Sequence, residues 1–360
     1  MISGFVAGVG ILASVIIAVL PSKPARAQND SSNGAVQAAT VSSTSGSDKA
    51  ARVPAMRRVT NVMDRYPQIS RDGKILLFDS NRSGTSQIYS CTTENNGAKL
   101  TDPTAPIYRT ENIVQLTKLP FHARCPSWSP DMKKIAFAGE PEGHSEIFVM
   151  NADGSHVTQL THTGGDDSHP HWSADGSRIM FNSSRTTPNS KADWNKQWHE
   201  LFSMKPDGSD VRQHTHCKTV CTFGSFSPDM KKITYRKVTD TRGMDWDLTP
   251  SKRNSEVFVA DTDGSNEINL SQNAAFDGWP SWSPDGKTIA FSSNRSGPAN
   301  VGQIYLVNPD GSGLRQLTTG PRSFVQPSWS ADGLQIFVYE NCETVDYEYG
   351  NISVIAVPPA

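Results

Sequence analysis

The chain writes one short unit six times, and this repetition restricts its fold more than any other feature. The copies begin at "YPQISRDGKILLFDSNRSG" (Tyr66), "CPSWSPDMKKIAFAG" (Cys125), "HPHWSADGSRIMFNSSR" (His169), "FGSFSPDMKKITYRK" (Phe223), "WPSWSPDGKTIAFSSNRSG" (Trp279) and "QPSWSADGLQIFVYEN" (Gln326), spaced by 59, 44, 54, 56 and 47 residues. A short strand, usually carrying Trp or Phe, meets an Asp-centred turn and is followed by an alternating strand such as "KTIAFSS". A third strand ("QIYLVN") comes next. It leads to a second turn at Asp153-Gly154, Asp207-Gly208, Asp263-Gly264 and Asp310-Gly311, where glycine takes a positive φ without strain. The fourth strand ends in "QLT" or a relative, as at Gln115 to Thr117 and Gln316 to Thr318. Repeats of this length with only strand patterns inside them predict an all-β, six-bladed β-propeller with four-stranded blades.

The sixth copy stops at its third strand, "NISVIAVPPA", whereas "MRRVTN" (Met56 to Asn61) resembles "LRQLTT" and precedes the first hairpin. The N-terminal strand is therefore predicted to complete the last blade and close the ring, which removes two open sheet edges. The propeller then covers residues 53 to 360. Met132 and Met230 stand where the other first turns carry glycine. If the backbone there is left-handed, each costs about 1 kcal/mol.

Ahead of the repeats, "GFVAGVGILASVIIAVL" (Gly4 to Leu20) is an apolar run followed by the small-x-small pattern Ala25-Arg26-Ala27. We read residues 1–27 as a signal peptide cleaved after Ala27, placing the protein in the periplasm or outside the cell. The alternative is an uncleaved N-terminal membrane anchor, the one route by which this chain would touch a membrane. Residues 28–52, rich in Ser, Ala, Asn and Thr, have almost nothing to bury and read as a disordered tether. A formal charge of -2 and a pI near 6.5 leave no basic surplus, so no nucleic acid is expected as a partner.

The pairing of "PSWSPDGKTIAFSSNRSG" with "QIYLVNPDGSGLRQLT" resembles the WD-like repeats of the TolB-type six-bladed propeller family, over residues 56–357. The resemblance implies a ring scaffold and, for TolB itself, a protein partner in the cell envelope, a peptidoglycan-associated lipoprotein. TolB carries an α/β domain ahead of its propeller, and here the tether occupies that interval. Propellers attached to serine peptidases also resemble these blades, but they need a hydrolase domain with a Gly-x-Ser-x-Gly turn, and this sequence has no such motif.

With antiparallel blades, both Asp-Gly turns fall on one rim, and the remaining loops fall on the other. The second rim holds the irregular sequence, including "TTPNSKADWNKQWHE" (Thr186 to Glu200), "KVTDTRGMDWDLTPSKRNSE" (Lys237 to Glu256) and "HTHCKTVCTF" (His214 to Phe223). Loops on a rigid ring carry binding residues, so His169, His171, Trp194, Trp198, His199, Trp246 and Trp279 are the candidates for a binding face. His169, His171, His214 and His216 are also candidate ligands of a divalent metal. Against this, "HPHWS" holds ordinary blade positions, and His169 is equally read as lining the channel. Cys217 and Cys221 are read as a disulfide pinning a long loop; Cys91, Cys125 and Cys342 are read as buried thiols. Arg82, Arg185 and Arg295 recur at one blade position and are expected to make repeated structural hydrogen bonds.

No secure catalytic constellation is present, so the leading expectation is a non-catalytic exported propeller that binds a protein or peptide at the channel mouth. Two other readings stay open: a metal-dependent saccharide lyase or hydrolase, and a glycan-binding module that uses its Trp side chains.

Overall fold

Short alternating segments cut by Asp-Gly turns cannot bury both faces in a single sheet, so the chain stacks them face to face around an axis. The computed structural model describes residues 56–58, 64–93, 112–189, 197–239, 255–298, 301–341 and 350–358, all within one compact unit spanning residues 51–360. The proposed signal peptide and tether, together with Trp194, Trp246 and Cys342, lie outside the described residues. Twenty-four strands form six antiparallel four-stranded sheets, and no helix occurs among the described residues. The first blade is β2 (Asp64–Ile69), β3 (Ile75–Ser80), β4 (Gln87–Thr92) and β5 (Val114–Gln115). The inner strands of the next four blades are β6 (Ala123–Trp128), β10 (Asp167–Trp172), β14 (Cys221–Phe226) and β18 (Asp277–Trp282).

Closure follows the sequence expectation. The last blade has the order β1 (Met56–Arg58), β24 (Gly350–Ala356), β23 (Gln335–Asn341), β22 (Ser323–Trp329), with Met56 opposite Ile355 and Arg58 opposite Ser353. The first and last blades then share one apolar cluster containing Leu76, Phe78, Tyr89, Phe337, Ile352 and Val354. Similar clusters fill the other seams: Ala136 and Ile147 of the second blade pack with Ile179, Phe181 and Phe202 of the third. The core is thus a set of wedges between blades.

Two polar devices repeat around the ring. In every first turn a serine hydroxyl donates to the aspartate two residues on, as Ser70 does to Asp72 at 2.6 Å and Ser283 to Asp285 at 2.7 Å. In alternate blades an arginine reaches a fully buried aspartate: Arg82 to Asp64 (2.6 Å), Arg185 to Asp167 (2.9 Å) and Arg295 to Asp277 (3.0 Å). Each guanidinium also donates to a serine hydroxyl and lies over two aromatic rings, as Arg185 lies over Phe181 and Phe202. The expected structural hydrogen bonds of these arginines are present. Met132 and Met230 do take left-handed backbone, with φ of 60° and 63°, so the turn keeps its shape and the side chain bears the strain.

Candidate functional site

Each inner strand carries the same irregularity at the residue that begins the repeat. In the third blade, Ser168 pairs with Asn182 and His171 with Met180, so His169 and Pro170 together oppose Phe181 alone. The five other inner strands shift register in the same way. Such a two-against-one bulge bends the strand and re-aims its side chain. The leading residue is left-handed in all six blades: Tyr66 (φ 52°), Cys125 (54°), His169 (54°), Phe223 (57°), Trp279 (51°) and Gln326 (57°). Proline follows in five blades and Gly224 in the other, which suits a bulge position with no ladder hydrogen bond to make.

The bulges turn six chemically different side chains toward one axial pocket of about 90 Å³, with His171, Gln68 and the bulge prolines in its wall. Neighbours in this ring touch. The His169 and Phe223 ring centres are 4.3 Å apart, those of Phe223 and Trp279 5.5 Å, and the Gln326 Oε1 accepts the Tyr66 backbone N–H at 2.8 Å. The indole N–H of Trp279 and Nδ1 of His171 are buried without a hydrogen-bond partner.

His169 also lines a second cavity of about 530 Å³ on the irregular rim. Its wall includes Arg124, Glu140, Asp166, Asn182 and His199. This mouth is polar where the axial pocket is aromatic, and His169 is the residue common to both. Arg124 and Glu140 form an ion pair at 2.9 Å on its edge.

The Tyr66 hydroxyl lies 3.2 Å from His169 Nε2, and His169 Nδ1 lies 3.1 Å from Asn182 Oδ1. With an amide oxygen as its partner, Nδ1 carries the proton, and Nε2 accepts from Tyr66. A hydroxyl, an imidazole and an orienting amide in sequence have the layout of an activated nucleophile. The acidities oppose that use. Burial pushes the Tyr66 phenol well above its ordinary 10, while burial, reinforced by the charge of Arg236, pushes His169 down to about 4. Proton transfer from the phenol to the imidazole is therefore strongly disfavoured. Burial first, then His169 and Arg236, also hold His199 down at about 3. Both imidazoles are neutral at pH 7, each able to donate one hydrogen bond and accept another.

The structure gathers His169, His171 and Trp279 around the axial pocket and places His199 in the mouth. Trp198 is half-buried, its backbone tied to the Thr187 hydroxyl, and it lines neither cavity. The four histidines proposed as metal ligands do not assemble. His214 is wedged between blades with Nδ1 2.5 Å from the Thr262 carbonyl and Nε2 2.7 Å from the Ser203 hydroxyl, so both ring nitrogens are occupied, and His216 is exposed. Cys217 and Cys221 are joined as a disulfide, and Cys91 and Cys125 are buried free thiols. The sequence reading singled out neither Tyr66, Cys125, Phe223 and Gln326 in the axial ring nor Arg124, Glu140 and Asn182 in the mouth. The first four share one alignment column with His169 and Trp279, and in that column chemistry changes in every copy while the flanking Pro and Ser recur.

A six-bladed ring of four-stranded blades around an axial pocket defines a β-propeller as the class. The chain matches the TolB beta propeller domain over residues 104–240 and 247–353, and it belongs to that family. It is 31% identical over 169 residues to an uncharacterized protein of Agrobacterium fabrum, covering 46% of this chain and 52% of that one. A TolB homolog of Chlorobium luteolum is 28% identical over 163 residues, covering 45% of this chain and 31% of that protein. The chain thus spans about half or less of the length of these curated relatives. Among solved structures, TolB from Acinetobacter baumannii superposes with a TM-score of 0.56 at 21% identity, over 74% of this chain and 57% of that one. An oligogalacturonate lyase in complex with manganese superposes with a TM-score of 0.52 at 14% identity, over 84% and 90% of the two chains, a likeness of fold alone.

Proposed function

We propose that this is a non-catalytic, exported propeller that binds a protein or peptide partner of the cell envelope through its irregular rim. The observation that carries the reading is the meeting of a polar mouth and an aromatic axial pocket at His169. A peptide laid across the mouth finds hydrogen-bond groups for its backbone, and the axial pocket, about the volume of one apolar side chain, takes an anchoring residue. The unpartnered Trp279 N–H would then meet an acceptor on the bound chain. An envelope lipoprotein is the partner class to test first, since a TolB homolog is among the relatives and the sequence opens with an export-type segment.

The test uses the mature chain beginning at Gln28. Partners recovered from solubilised envelope are identified by mass spectrometry, and each candidate is titrated calorimetrically against wild type, His169→Trp and Trp279→Ala. Binding weakened by at least about tenfold in both variants, with thermal unfolding unchanged in His169→Trp, is expected for an anchor of this kind. Binding indifferent to both substitutions, or turnover of an oligosaccharide by the wild-type chain, would overturn the proposal. An N-terminus other than Gln28 on protein recovered from cells would refute the cleavage site.

A further inference from the structure

Outside the axial site, the link between the third and fourth blades departs from its equivalents in a way that points to a metal. In the second blade the buried Glu146 carboxylate ties down the loop after the fourth strand, accepting from the Thr161 hydroxyl and from the N–H groups of Thr163 and Gly164. Glu256 does the same with the Ser271 hydroxyl and the Asn273 N–H. In the third blade Glu200 accepts from the Thr215 hydroxyl at 2.6 Å and from the N–H groups of Cys217 (3.1 Å) and Lys218 (2.6 Å). Here alone the loop brings sulfur. Cys217 Sγ lies 3.2 Å from Glu200 Oε2, and one carboxylate oxygen and both sulfurs of Cys217 and Cys221 fall within 4.8 Å of one another. Among the described residues this is the one trio of His, Cys, Asp or Glu side chains so placed.

We propose that, once the Cys217–Cys221 bond is reduced, Glu200, Cys217 and Cys221 form a three-ligand site for a thiophilic divalent cation such as Zn²⁺. Two thiolates and a carboxylate suit zinc, and the fourth position is left for water. A carboxylate offers about four lone-pair directions; Oε2 accepts from Thr215 and Cys217 and Oε1 from Lys218, so the direction left for the metal is on Oε1. Thiolates about 2.3 Å from zinc stand about 3.8 Å apart in a tetrahedron. The Cα atoms of the two cysteines are 7.1 Å apart, a separation that accommodates this spread. Of the three ligands, Cys217 faces a cavity of about 240 Å³ whose wall also holds His216, Lys237, Asp263 and Glu267.

The chemistry balances in two steps. A dithiol or phosphine reductant supplies two electrons, and with two protons the disulfide becomes two thiols. Binding of the cation then releases those two protons as both sulfurs become thiolates. The oxidised and metal-bound forms therefore exclude each other, and the loop is pinned in either state, by a covalent bond or by the ion.

The test compares the full mature chain in its oxidised form with the same protein reduced by a phosphine and freed of reductant without oxygen. Each is titrated with Co²⁺, whose thiolate complexes absorb in the near ultraviolet and, when tetrahedral, in the visible. The expected result is saturation at about one Co²⁺ per reduced chain, displacement of the bands by Zn²⁺, and no bands from the oxidised chain. A Cys217→Ser/Cys221→Ser variant should lose the bands, and its thermal unfolding checks that the ring is intact. A reduced wild-type chain that shows no thiolate absorption with Co²⁺ overturns the proposal, as do bands that survive in the double variant. The oxidised and reduced wild-type arms stand on their own if the variant fails to fold.

Discussion

Removing Arg185 is the sharpest test of how the alternate blades are held. Asp167 is fully buried, and the side chain of Arg185, 20% exposed, covers it. Burial raises the Asp167 carboxyl above its ordinary range, and Arg185 works against that rise. An acid whose folded pKa is raised binds more protons in the folded state, so its ionisation costs stability as pH climbs through the folded pKa. Arg185→Met keeps much of the packing over Phe181 and Phe202 but removes the counter-charge, which moves the folded pKa further up and widens the costly window. Leaving a buried charge unpaired costs about 3 to 5 kcal/mol, or about 5 to 8 °C in Tm for a domain of this size. Calorimetric unfolding of wild type, Arg185→Met and Arg185→Met/Asp167→Asn at pH 7 and pH 4 reads this out. The single variant should lose most at pH 7 and less at pH 4, and adding Asp167→Asn should restore much of the loss at pH 7. An equal loss at both pH values, or no recovery in the double variant, would show that Arg185 acts by packing and not by charge.

Three further outcomes follow from the same geometry. Met132→Gly should raise stability by about 0.5 to 1 kcal/mol, the left-handed strain less the entropy of glycine; Met230→Gly should gain less because Met230 packs against the cluster of Phe226 and Ile233, and urea midpoints compare the two. Hydroxyl donation from Ser129 first, then the Lys133 N–H, lowers the Asp131 carboxyl, and the same serine contact operates in the equivalent turns. Groups of this sign add stability above their unfolded pKa and lose it as pH falls, so Asp131→Asn should flatten the acid limb of a stability–pH profile by lowering its neutral and alkaline part, without changing the alkaline slope. Deleting residues 53–61 strips β1 from β24 and bares a sheet edge beside the first blade; a lower calorimetric Tm and larger species on size exclusion are expected, and unchanged behaviour would show that the ring does not depend on this closure.

Much of this architecture was legible because it is written locally. The first-turn aspartates, the glycines of the second turns and the alternation in strands such as β3 each need only a few consecutive residues, and the likeness of "MRRVTN" to "LRQLTT" announced the closing strand. The axial ring was harder to read. A bulge is a count of two residues against one across a strand pair, and no single strand records it. The residue before a proline is expected to be extended, whereas Tyr66, Cys125, His169, Trp279 and Gln326 are left-handed. His214 misled for a related reason. It stands near other ligand-type residues in sequence, but it belongs to the wedge between blades, where Ser203 and Thr262 claim both of its nitrogens.

The identities in the ring argue for function more strongly than their positions do. A left-handed residue other than glycine costs about 1 kcal/mol or more, and a chain shaped by stability alone would place Gly or Asn at such bulges. This one carries Tyr, Cys, His, Phe, Trp and Gln there, never Gly and never the same residue twice. Nor does the core require them, since each sits at a bulge on the axis and not in the wedges between blades. A position that is strained, unneeded by the core and different in every copy is one where backbone cost is accepted for the side chain it presents. The repeat supplies a rigid frame with six equivalent sockets around one pocket, and the sockets hold the information that six otherwise similar blades do not. Specificity in this protein is therefore expected to reside in those six side chains and in the loops above His169, while substitutions in the repeated turns alter stability and leave recognition unchanged.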